Sequence, residues 1–572
     1  MLSKEQKEIL GEKVSKKVEK IAKITKPKEI KILKGEKSEV EFLIKKLLDE
    51  KRLIKLKWKN CYFYKTKPYD AARSESSTYI ATKKKEDAGP TNNWLDPNEI
   101  RAKLFKILEN AMEGKTMYIL PYILGPESSP YSRVGVMITD NEFVALNESI
   151  LANITQKALD RIKNGEDFVF GVNSTCKLDP ENRYIVHFPE KKEVISVNTE
   201  YGGNADLTKK SHALRIASFQ AKKEGWLAEH MMAIQVITPE KESFGISAAF
   251  PSMCGKTNLA TIKPDGVFKE WDAKLLSDDI IWLHEKEGKI YAINPEYGMF
   301  GVASGTNEKT NSNLMKILKE DTIFTNVGLT KNLEPWWEGL ELKDEIIEKP
   351  HPNGRFTVSI LRYPNLSEKF FEAYGLKIDA ILFGARRKDL IPLVFETYSW
   401  EEGVLFGAML RSETTAAANE NSGGLNNDPM AMKPFCGYDM AKYFSHWVKF
   451  GKKLKEPPKI YFVNWFRRDE KGNFIWPGYN DNMYVIKWII ERSKGKASAI
   501  RTPIGFIPNY NEFDFGIEKE KLEKLFEIDK QGWLKELSDA KTFFSIFPNF
   551  PKVLSKKLNE LEKRVESYDF KR

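Results

Sequence analysis

The sequence predicts an α/β protein of more than one domain, because strand-like and helix-like segments alternate along most of its 572 residues. Hydrophobic residues make up 41% and charged residues 30% of the chain, which is a globular composition with enough apolar material for a sizeable core. No apolar run approaches the roughly 18 residues that a membrane-spanning helix needs. These observations exclude a disordered chain, a coiled coil and a collagen-like fibre, and they argue against a membrane protein.

Cysteine spacing and charge further limit the kinds of protein that this sequence could encode. The four cysteines lie far apart without a Cys-x-x-Cys pair, so neither a disulfide framework nor a structural zinc site is predicted. With no apolar segment typical of a secretory signal near residue 1, we expect a cytoplasmic protein. Residues 1–60 contain 19 Lys/Arg and 10 Asp/Glu, whereas the rest of the chain contains 72 and 71. Because these lysines alternate with glutamates, a solvated helix face is favoured over a nucleic-acid surface, which stays an alternative.

The elements are predicted from hydrophobic spacing and from capping residues. Apolar residues at helical spacing predict amphipathic helices in residues 1–60. Asp96, Pro97 and Glu99 fit the N-cap, first and third positions of another helix. Residues 147–165 are predicted as one helix, and residues 518–572 as a helical tail. Strands are predicted in TMYILPYIL, VGVMITD, RYIVHFPE, FGISAAF, LLSDDIIWLHE, KIYAINPE, DAILFGARR, LVFETYSW and KIYFVNWF.

The strongest local signal is FPSMCGKTNLA at residues 250–260, between a predicted strand and a predicted helix. A phosphate-binding loop needs small residues so that backbone N–H groups converge on an anion. It also needs a lysine for the phosphates and a hydroxyl for Mg²⁺. Gly255, Lys256 and Thr257 supply the end of that motif. Phe250 stands where the consensus has its first glycine, so a chance Gly-Lys-Thr turn is the alternative.

Other candidate residues are ambiguous when taken singly. Asp278 and Asp279 end a predicted strand, as metal-binding carboxylates of nucleotide sites do, although an exposed acidic turn would look the same. His230 alone would more often be a packed core residue. The pair Lys209–Lys210 would more often be solvated. Arginine suits a dianionic substrate because its guanidinium matches carboxylate and phosphate bidentately, and three candidates are Arg73, Arg355 and Arg386.

Longer motifs remove the ambiguity. They are EYGGNADLTKKSHALRIASFQAKKEGWLAEHM, FPSMCGKTNLA, SDDIIW, NPEYGMFGVASGTNEKTNSNLM, HPNGRF, GARR, GVLFGAMLRSETTAAAN, NNDPMAMKPFCGYDMAKYFSHW and VNWFRRDEKGNFIWPGYNDN. From about residue 73 to about residue 516 the chain therefore resembles the GTP-dependent phosphoenolpyruvate carboxykinases, with the motifs in that family's order. The resemblance implies that family's α/β fold. An N-terminal, substrate-side domain is expected at residues 1–225, and a C-terminal nucleotide-binding and catalytic domain with a P-loop at 226–572. Within the latter, a phosphoenolpyruvate-binding subdomain is expected at 293–375 and a mobile lid at 412–425.

The resemblance also implies a reaction and its metals. Oxaloacetate would be reversibly decarboxylated and phosphorylated by GTP, through a metal-stabilised enolate, to give phosphoenolpyruvate, GDP and CO₂. Mn²⁺ would occupy the catalytic site, and Mg²⁺ or Mn²⁺ would accompany the nucleotide. The implied metal ligands are Lys210, His230 and Asp279, with Thr257 and Asp278 serving the nucleotide's metal. The family further implies a monomer that acts in gluconeogenesis or anaplerosis.

The remaining roles carry over position by position. The implied substrate-binding residues are Arg73, Tyr201, Gly202, Gly203, Asn204, Ser252, Asn353 and Arg355. The implied catalytic residues are Lys209, Cys254, Lys256, Arg355 and Arg386. The implied nucleotide-binding residues are Met253, Cys254, Gly255, Lys256, Thr257, Asn258, Arg386, Phe466, Phe474, Tyr479 and Asn482. Phe466 and Phe474 are expected to sandwich the guanine. The anion-binding surroundings of Cys254 predict a reactive thiol of lowered pKa.

Several positions depart from the family pattern, and three alternatives stay open. Met253 replaces a small residue, Ser304 replaces a proline and Tyr479 replaces a phenylalanine, while the lid reads ETTAAANENSGG. One alternative is a carboxykinase that uses ATP or an inosine nucleotide. A second is a nucleotide-binding regulatory protein without turnover. The third is nucleic-acid binding through residues 1–60, which could coexist with either.

Overall fold

The computed structural model describes residues 1–70, 74–201, 207–413 and 424–569, and the chain forms two compact units. The first unit comprises Met1–Gln220, Asn294–Leu366 and Phe371–Ala373. The second comprises Ala221–Ile293, Ser367–Phe370 and Tyr374–Arg572. Residues 294–366 thus pack with the first unit, and the domain limits expected from the resemblance stay predictions.

The strands, in chain order, are β1 Glu29–Ile32, β2 Leu53–Lys55, β3 Tyr62–Tyr64, β4 Thr78–Ile80, β5 Thr116–Leu124, β6 Arg133–Thr139, β7 Asn153–Ile154, β8 Phe168–Ser174, β9 Tyr184–Phe188, β10 Glu193–Val197, β11 Leu227–Glu229, β12 Met232–Ile237, β13 Ser243–Ala249, β14 Asp272–Ser277, β15 Ile281–Lys286, β16 Lys289–Ile293, β17 Gly298–Val302, β18 Ile323–Thr325, β19 Gly328–Thr330, β20 Pro335–Trp336, β21 Ile346–Glu348, β22 Arg355–Ser359, β23 Leu376–Lys377, β24 Ala380–Gly384, β25 Val394–Glu396, β26 Arg411–Glu413, β27 Leu425–Asn427, β28 Lys459–Val463, β29 Ala499–Thr502 and β30 Gly505–Pro508.

The α-helices, in chain order, are α1 Lys4–Thr25, α2 Lys37–Asp49, α3 Lys85–Ala88, α4 Pro97–Leu108, α5 Glu142–Leu151, α6 Gln156–Lys163, α7 Ala217–Glu224, α8 Lys256–Ala260, α9 Ser312–Leu318, α10 Trp400–Ala408, α11 Met440–Gly451, α12 Asn482–Ser493, α13 Lys519–Phe526, α14 Lys530–Phe544 and α15 Lys552–Ser567. A π-helical segment, Leu207–Ile216, precedes α7. No helix among the described residues is both long and apolar enough to cross a membrane.

A mixed sheet forms the centre of the first unit, in the order β1-β5-β6-β8-β10-β9-β4, with β7 paired to β5. Helix α1 packs on it through Leu10, Val14, Val18 and Ile21, which recur at helical spacing and share one apolar core with the sheet. A second sheet, in the order β17-β22-β18-β3-β2, joins residues 294–366 to residues 53–64. Strand β22 of this sheet begins at Arg355, one of the predicted substrate-binding residues.

An eight-stranded sheet organises the second unit, in the order β14-β12-β13-β24-β28-β25-β30-β29. Strands β13, β24 and β28 are adjacent and parallel, so their carboxyl ends meet at one edge. Strand β12 is antiparallel to both β13 and β14, which brings its start and the end of β14 to the same edge. In open α/β sheets ligands bind at such an edge.

The structure confirms several predicted elements and corrects others. Helix α4 begins as expected, with the Asp96 side chain accepting hydrogen bonds from the backbone N–H groups of Asn98 and Glu99. The single helix expected at 147–165 is wrong: α5 and α6 are separated by β7, which pairs with β5. The all-helical reading of residues 1–60 is also wrong, because β1 and β2 pair with distant strands. The strand predicted through Asp278 and Asp279 is two strands, β14 and β15, in different sheets.

Candidate active site

Five loops meet at the carboxyl edge of the second unit's parallel strands. The 250–255 loop follows β13, the Arg386 segment follows β24 and the Phe466 segment follows β28. His230 lies just before β12, and the Asp278–Asp279 pair lies just after β14. Residues that are up to 236 positions apart in the sequence are therefore brought together by strand order alone. Anion-binding, cation-binding and aromatic groups therefore lie together at this edge of the sheet.

His230, which is buried, and Asp279, which is half-buried, form a pair that attracts a cation. The carbonyl of Ala431 accepts a hydrogen bond from His230 Nδ1 at 2.9 Å, so in the neutral ring the lone pair lies on Nε2. Nε2 lies 3.0 Å from Asp279 Oδ1. The Lys256 ammonium lies 2.5 Å from Nε2 and 2.6 Å from Asp279 Oδ1. An imidazole nitrogen and a carboxylate oxygen converging on one positive charge fit a divalent metal ion, whose protein ligands are of these types.

The phosphate-binding loop has two residues in the left-handed region. Gly255 has φ of +92°, and a Cβ there would lie 3.4 Å from Trp465 Cδ1. Met253 has φ of +61° and is exposed, and its carbonyl accepts a hydrogen bond of 3.1 Å from the Arg386 guanidinium. Glycine would adopt this backbone with less strain than methionine, because it has no Cβ. Lys256, Thr257 and Asn258 follow on the first turn of α8, and Ser252 is half-buried just ahead of Met253.

The Cys254 thiol is not the acidic thiol that the sequence predicts. The thiol is buried, and its Sγ lies 3.2 Å from the hydroxyl of Ser412, which also accepts a hydrogen bond from the Arg386 backbone N–H. Burial raises the pKa of Cys254 to about 11, outweighing the opposing effects of the Ser412 hydrogen bond and of the Arg386 charge. The prediction of a lowered thiol pKa is therefore wrong for this structure. Ser412 belongs to β26, which pairs with β27.

Arg386 is placed over an aromatic ring beside the loop. Its guanidinium carbon lies 4.3 Å from the centroid of the Phe466 ring, within the range of a cation–π contact. The rings of Phe466 and Phe474 lie edge to face, with centroids 6.0 Å apart and an interplanar angle of 70°. The expected sandwich of two parallel rings is therefore not the arrangement present. Phe474 is 52% exposed, and the guanidinium carbon of Arg468 lies 5.1 Å from the centroid of its ring.

The other two predicted base-binding residues have different surroundings. Tyr479 is 45% exposed and has φ of +52°, at the start of a short 3₁₀ turn. Asn482 is buried as the first residue of α12, and its side-chain oxygen accepts a hydrogen bond of 2.8 Å from the indole of Trp476. The amide group of Asn482 is thus oriented by Trp476.

The first unit holds a second set of predicted residues. Lys209 and Glu296 form a buried ion pair with Nζ and Oε1 2.6 Å apart, and the Lys209 ammonium also donates to the Gly298 carbonyl at 3.2 Å. Lys209 lies in the π-helical segment 207–216 and Lys210 follows it there. The Glu296 carboxylate compensates the Lys209 charge in an environment where a lone ammonium would be costly.

Arg355, Tyr201 and Asn353 complete that set. The guanidinium carbon of Arg355, the first residue of β22, lies 5.5 Å from the centroid of the Phe300 ring. The Tyr201 ring meets Phe300 edge to face at 5.8 Å. The side-chain oxygen of Asn353 is buried without a hydrogen-bond partner among the described residues. Such an atom is expected to be satisfied by a ligand or water.

Some predicted residues lie outside the described part of the chain, and some contributors escaped prediction. Arg73, Gly202, Gly203, Asn204 and residues 414–423 of the expected lid are outside it. Glu296 and the Ala431 carbonyl were not predicted as members of the site, and Ser412 was expected only as the first residue of the lid. All three lie within motifs quoted above, but only their contacts identify what they do.

Comparisons with known proteins match both units. The C-terminal P-loop domain of phosphoenolpyruvate carboxykinase matches residues 226–564, and the N-terminal domain of phosphoenolpyruvate carboxykinase matches residues 16–222. The chain belongs to the GTP-dependent phosphoenolpyruvate carboxykinase family. The phosphate-binding loop, His230, Asp279 and Arg386 all fall within the P-loop domain so matched.

Three similar relatives share the name phosphoenolpyruvate carboxykinase [GTP]. The phosphoenolpyruvate carboxykinase [GTP] of Thermoplasma volcanium is 42% identical over 573 residues, covering 96% of this chain and 97% of the relative. That of Anaeromyxobacter dehalogenans strain 2CP-C is also 42% identical, covering 96% of each chain. That of Neocallimastix frontalis is 42% identical, covering 95% of this chain and 96% of its own. A family defined by GTP-dependent carboxykinases implies the use of a guanine nucleotide and of a divalent metal.

Proposed function

We propose that this protein converts oxaloacetate and GTP into phosphoenolpyruvate, GDP and CO₂, and catalyses the reverse reaction. The observation that carries the proposal is the convergence of His230, Asp279 and Lys256 within 3.0 Å at the edge where the phosphate-binding loop ends. A cation site beside a phosphate-binding loop suits phosphoryl transfer, in which positioning and charge stabilisation supply most of the catalysis. Full-length similarity to enzymes named phosphoenolpyruvate carboxykinase [GTP] gives independent support.

In the forward direction, the C–C bond to the leaving carboxylate breaks and its electron pair passes into the enolate of pyruvate. The enolate oxygen then bonds to the γ-phosphorus of GTP, while the bond from that phosphorus to the β–γ bridging oxygen breaks. Lys256 and Arg386 bind the phosphates and offset negative charge on the transferring group. The N–H groups around Gly255, together with Cys254 and Asn258, hold the remaining phosphate oxygens.

Residues of the first unit are proposed to bind oxaloacetate. Arg355 binds a substrate carboxylate bidentately, and Tyr201 and Asn353 line the CO₂ side. Lys209, held by Glu296, contributes a positive charge whose position is fixed. The resemblance adds Arg73, Gly202, Gly203 and Asn204 to this set, and it also assigns substrate to Ser252 of the phosphate-binding loop. Holding the substrate in one orientation removes much of the entropic barrier to reaction.

His230 and Asp279 are proposed to hold a divalent ion, Mn²⁺, with Lys210 as the third ligand. A lysine ligates only as a neutral amine, so binding of the ion at Lys210 requires loss of a proton. Thr257 and Asp278 are proposed to serve the Mg²⁺ or Mn²⁺ that accompanies the nucleotide. When bound, the catalytic ion would supply Lewis-acid stabilisation of the negative charge on oxygen. Lys256, which lies between the two ligands in this structure, is proposed to move onto the nucleotide phosphates.

Guanine is proposed to stack on Phe474 and to contact Phe466, with Tyr479 and Asn482 at the edge of the base. Stacking is available to any purine, so preference for guanine requires polar groups that adenine leaves unpaired. A carboxykinase that also accepts an inosine nucleotide is the second candidate, because Tyr479 adds a hydroxyl at the edge of this pocket. We further propose that the protein is a cytoplasmic monomer and that residues 412–425 form a lid that excludes water.

The test is an assay of oxaloacetate with GTP, ITP or ATP in the presence of Mn²⁺, with product quantified by mass spectrometry. We expect phosphoenolpyruvate and GDP in equal amounts, with GTP the preferred nucleotide. Nucleotide binding without phosphoenolpyruvate would instead support a regulatory protein without turnover. Equal rates with ATP and GTP would contradict the assignment of the guanine pocket.

A further inference from the structure

A buried carboxylate links two parts of the first unit that lie 130 residues apart. Asp70 is fully buried at the end of the segment that follows β3. Its Oδ1 accepts a hydrogen bond of 2.7 Å from the Thr199 hydroxyl. Its Oδ2 accepts hydrogen bonds from the backbone N–H groups of Glu200, at 2.7 Å, and of Tyr201, at 3.2 Å. Charge-assisted bonds of this kind are among the stronger hydrogen bonds in proteins.

The segment that carries Asp70 is itself anchored. The Thr66 hydroxyl donates to the Asp70 carbonyl at 2.7 Å, and the Asp70 N–H donates to the Lys67 carbonyl at 2.8 Å. Asn326 bonds both the backbone N–H and the hydroxyl of Thr66, at 2.9 and 2.8 Å. The backbone that carries Asp70 is therefore held in place by these hydrogen bonds.

Arg183 also contacts this segment. Its guanidinium donates to the Tyr69 carbonyl at 2.8 Å and to the Ser74 hydroxyl at 3.3 Å. Its Nη2 lies 3.9 Å from Asp70 Oδ1. One arginine thus contacts the residues on both flanks of 71–73, the stretch that contains the proposed substrate-binding Arg73.

The other end of the link is the backbone of Tyr201. The Tyr201 ring packs edge to face on Phe300, whose ring lies beside the Arg355 guanidinium. Residues 202–204, which the resemblance assigns to the substrate, follow directly in the chain. The Asp70 carboxylate thereby joins the chain segment leading to Arg73 with the chain segment leading from Tyr201.

We propose that Asp70 is a positioning residue for oxaloacetate and phosphoenolpyruvate binding, which fixes the backbone at Tyr201 relative to the segment that enters residues 71–73. It acts through that backbone and does not touch substrate. A carboxylate is required because donors converge on both of its oxygens, whereas an asparagine would turn an N–H₂ group toward some of them. The inference rests on the proposed function, since it concerns the residues proposed there to bind substrate.

The test measures steady-state constants for Asp70→Asn. We expect the KM for oxaloacetate and the KM for phosphoenolpyruvate to rise at least tenfold, with the KM for GTP within twofold of wild type. A KM for oxaloacetate within twofold of wild type would overturn the proposal. So would an equal rise in the KM for GTP, because this would indicate general loosening. Failure of the wild-type protein to make phosphoenolpyruvate would instead contradict the proposed function.

Asp140→Asn is the matched control. Asp140 is a buried carboxylate in the same unit and accepts bonds of 2.9 Å from the Ser174 hydroxyl and the Thr175 N–H, with Lys115 at 2.8 Å. We expect this variant to lower the melting temperature while both substrate KM values stay within twofold of wild type. A rise in substrate KM equal to that of Asp70→Asn would mean that any buried carboxylate in the unit has this effect, and would overturn the proposal.

A milder pair of variants decides the question if Asp70→Asn does not fold. Thr199→Val removes the hydroxyl that donates to Asp70 and that accepts from the Tyr201 N–H at 3.2 Å, whereas Thr199→Ser keeps it. We expect Thr199→Val to raise the KM for oxaloacetate about threefold to tenfold and Thr199→Ser to restore it to within twofold of wild type. Equal KM values in the two variants would overturn the proposal.

Discussion

At the scale of single residues, burial decides the chemistry of the cysteine in the phosphate-binding loop. Neighbouring N–H groups and a positive charge favour a thiolate, but enclosure disfavours it more. Cys61, Cys254 and Cys436 are all buried, whereas Cys176 is half-buried. The accessible thiol is therefore not the one that the motif suggests.

We predict that iodoacetamide at pH 8 labels Cys176 before Cys254. Burial raises the pKa of both thiols, so reaction is slow at each, but only Cys176 is partly open to the reagent. Timed alkylation followed by peptide mass spectrometry measures the order. Cys176→Ser should abolish the early label and leave activity unchanged. Early labelling of Cys254 with parallel inactivation would show that the loop opens far more often than this structure implies.

Phe474 is the most exposed member of the proposed guanine pocket, so its truncation tests stacking with little cost to the core. Base–aromatic stacking is worth about 1–3 kcal/mol, so Phe474→Ala should raise the KM for GTP by about fivefold to a hundredfold. The KM for oxaloacetate should change less. Truncation of another exposed apolar side chain, Ile546→Ala, is the control and should change neither constant. An unchanged KM for GTP in Phe474→Ala would remove this residue from the pocket.

At the scale of elements, the sequence predicted the helices whose limits are set by neighbouring residues, and not the strands that form through distant pairing. Helix α4 was predictable because its cap lies within three residues of its start. Helices α5 and α6 were not, because the intervening β7 forms only through pairing with β5, some 30 positions earlier. Likewise the motifs predicted His230 and Asp279, whereas the Ala431 carbonyl that orients His230 comes from about 200 residues away. Contacts between distant segments carry no signal in a single sequence.

Helix α14 anchors the segment that carries Arg386. Arg387 forms a buried bidentate pair with Glu536, with both N–O distances at 2.9 Å. Removing one partner of a buried pair leaves an uncompensated charge and typically costs about 3–5 kcal/mol. Glu536→Gln should therefore lower the melting temperature strongly and weaken nucleotide binding through displacement of Arg386.

Asp539→Asn, on the same helix, is the matched control. Asp539 is 42% exposed and pairs with Arg411 at 2.8 Å, so its loss should cost less than about 1 kcal/mol. Calorimetry and GDP titration of both variants measure the difference. Equal melting temperatures for Glu536→Gln and the wild type would contradict an anchoring role for α14.

At the scale of the whole molecule, buried histidines make the fold sensitive to acid. Burial lowers the pKa of His284 and of His446 from the ordinary 6.5 to about 4. The native state keeps these rings neutral while the unfolded chain takes up protons below pH 6.5. Stability therefore falls as the pH drops from about 6.5 toward 4, by about 1–3 kcal/mol for each ring.

The corresponding prediction is a lower melting temperature at pH 5 than at pH 7. Burial also lowers the pKa of His187 and of His212, and these four rings together outweigh Glu229, whose pKa burial raises to about 8 and which acts in the opposite sense. His446→Gln removes one titrating ring, so its melting temperature should fall less over the same interval. Differential scanning calorimetry of both proteins at the two pH values measures this. An identical fall in the two proteins would show that His446 does not contribute.

The measurement that tests the central claim most directly is the rate of phosphoenolpyruvate formation by His230→Ala and Asp279→Asn at saturating GTP, oxaloacetate and Mn²⁺. Each change removes one proposed metal ligand, and loss of several kcal/mol of charge stabilisation should lower turnover by about a thousandfold. GDP affinity should change less than tenfold. Asp272→Asn, at the other end of β14, should keep wild-type turnover. Turnover within tenfold of wild type in either ligand variant would contradict the account.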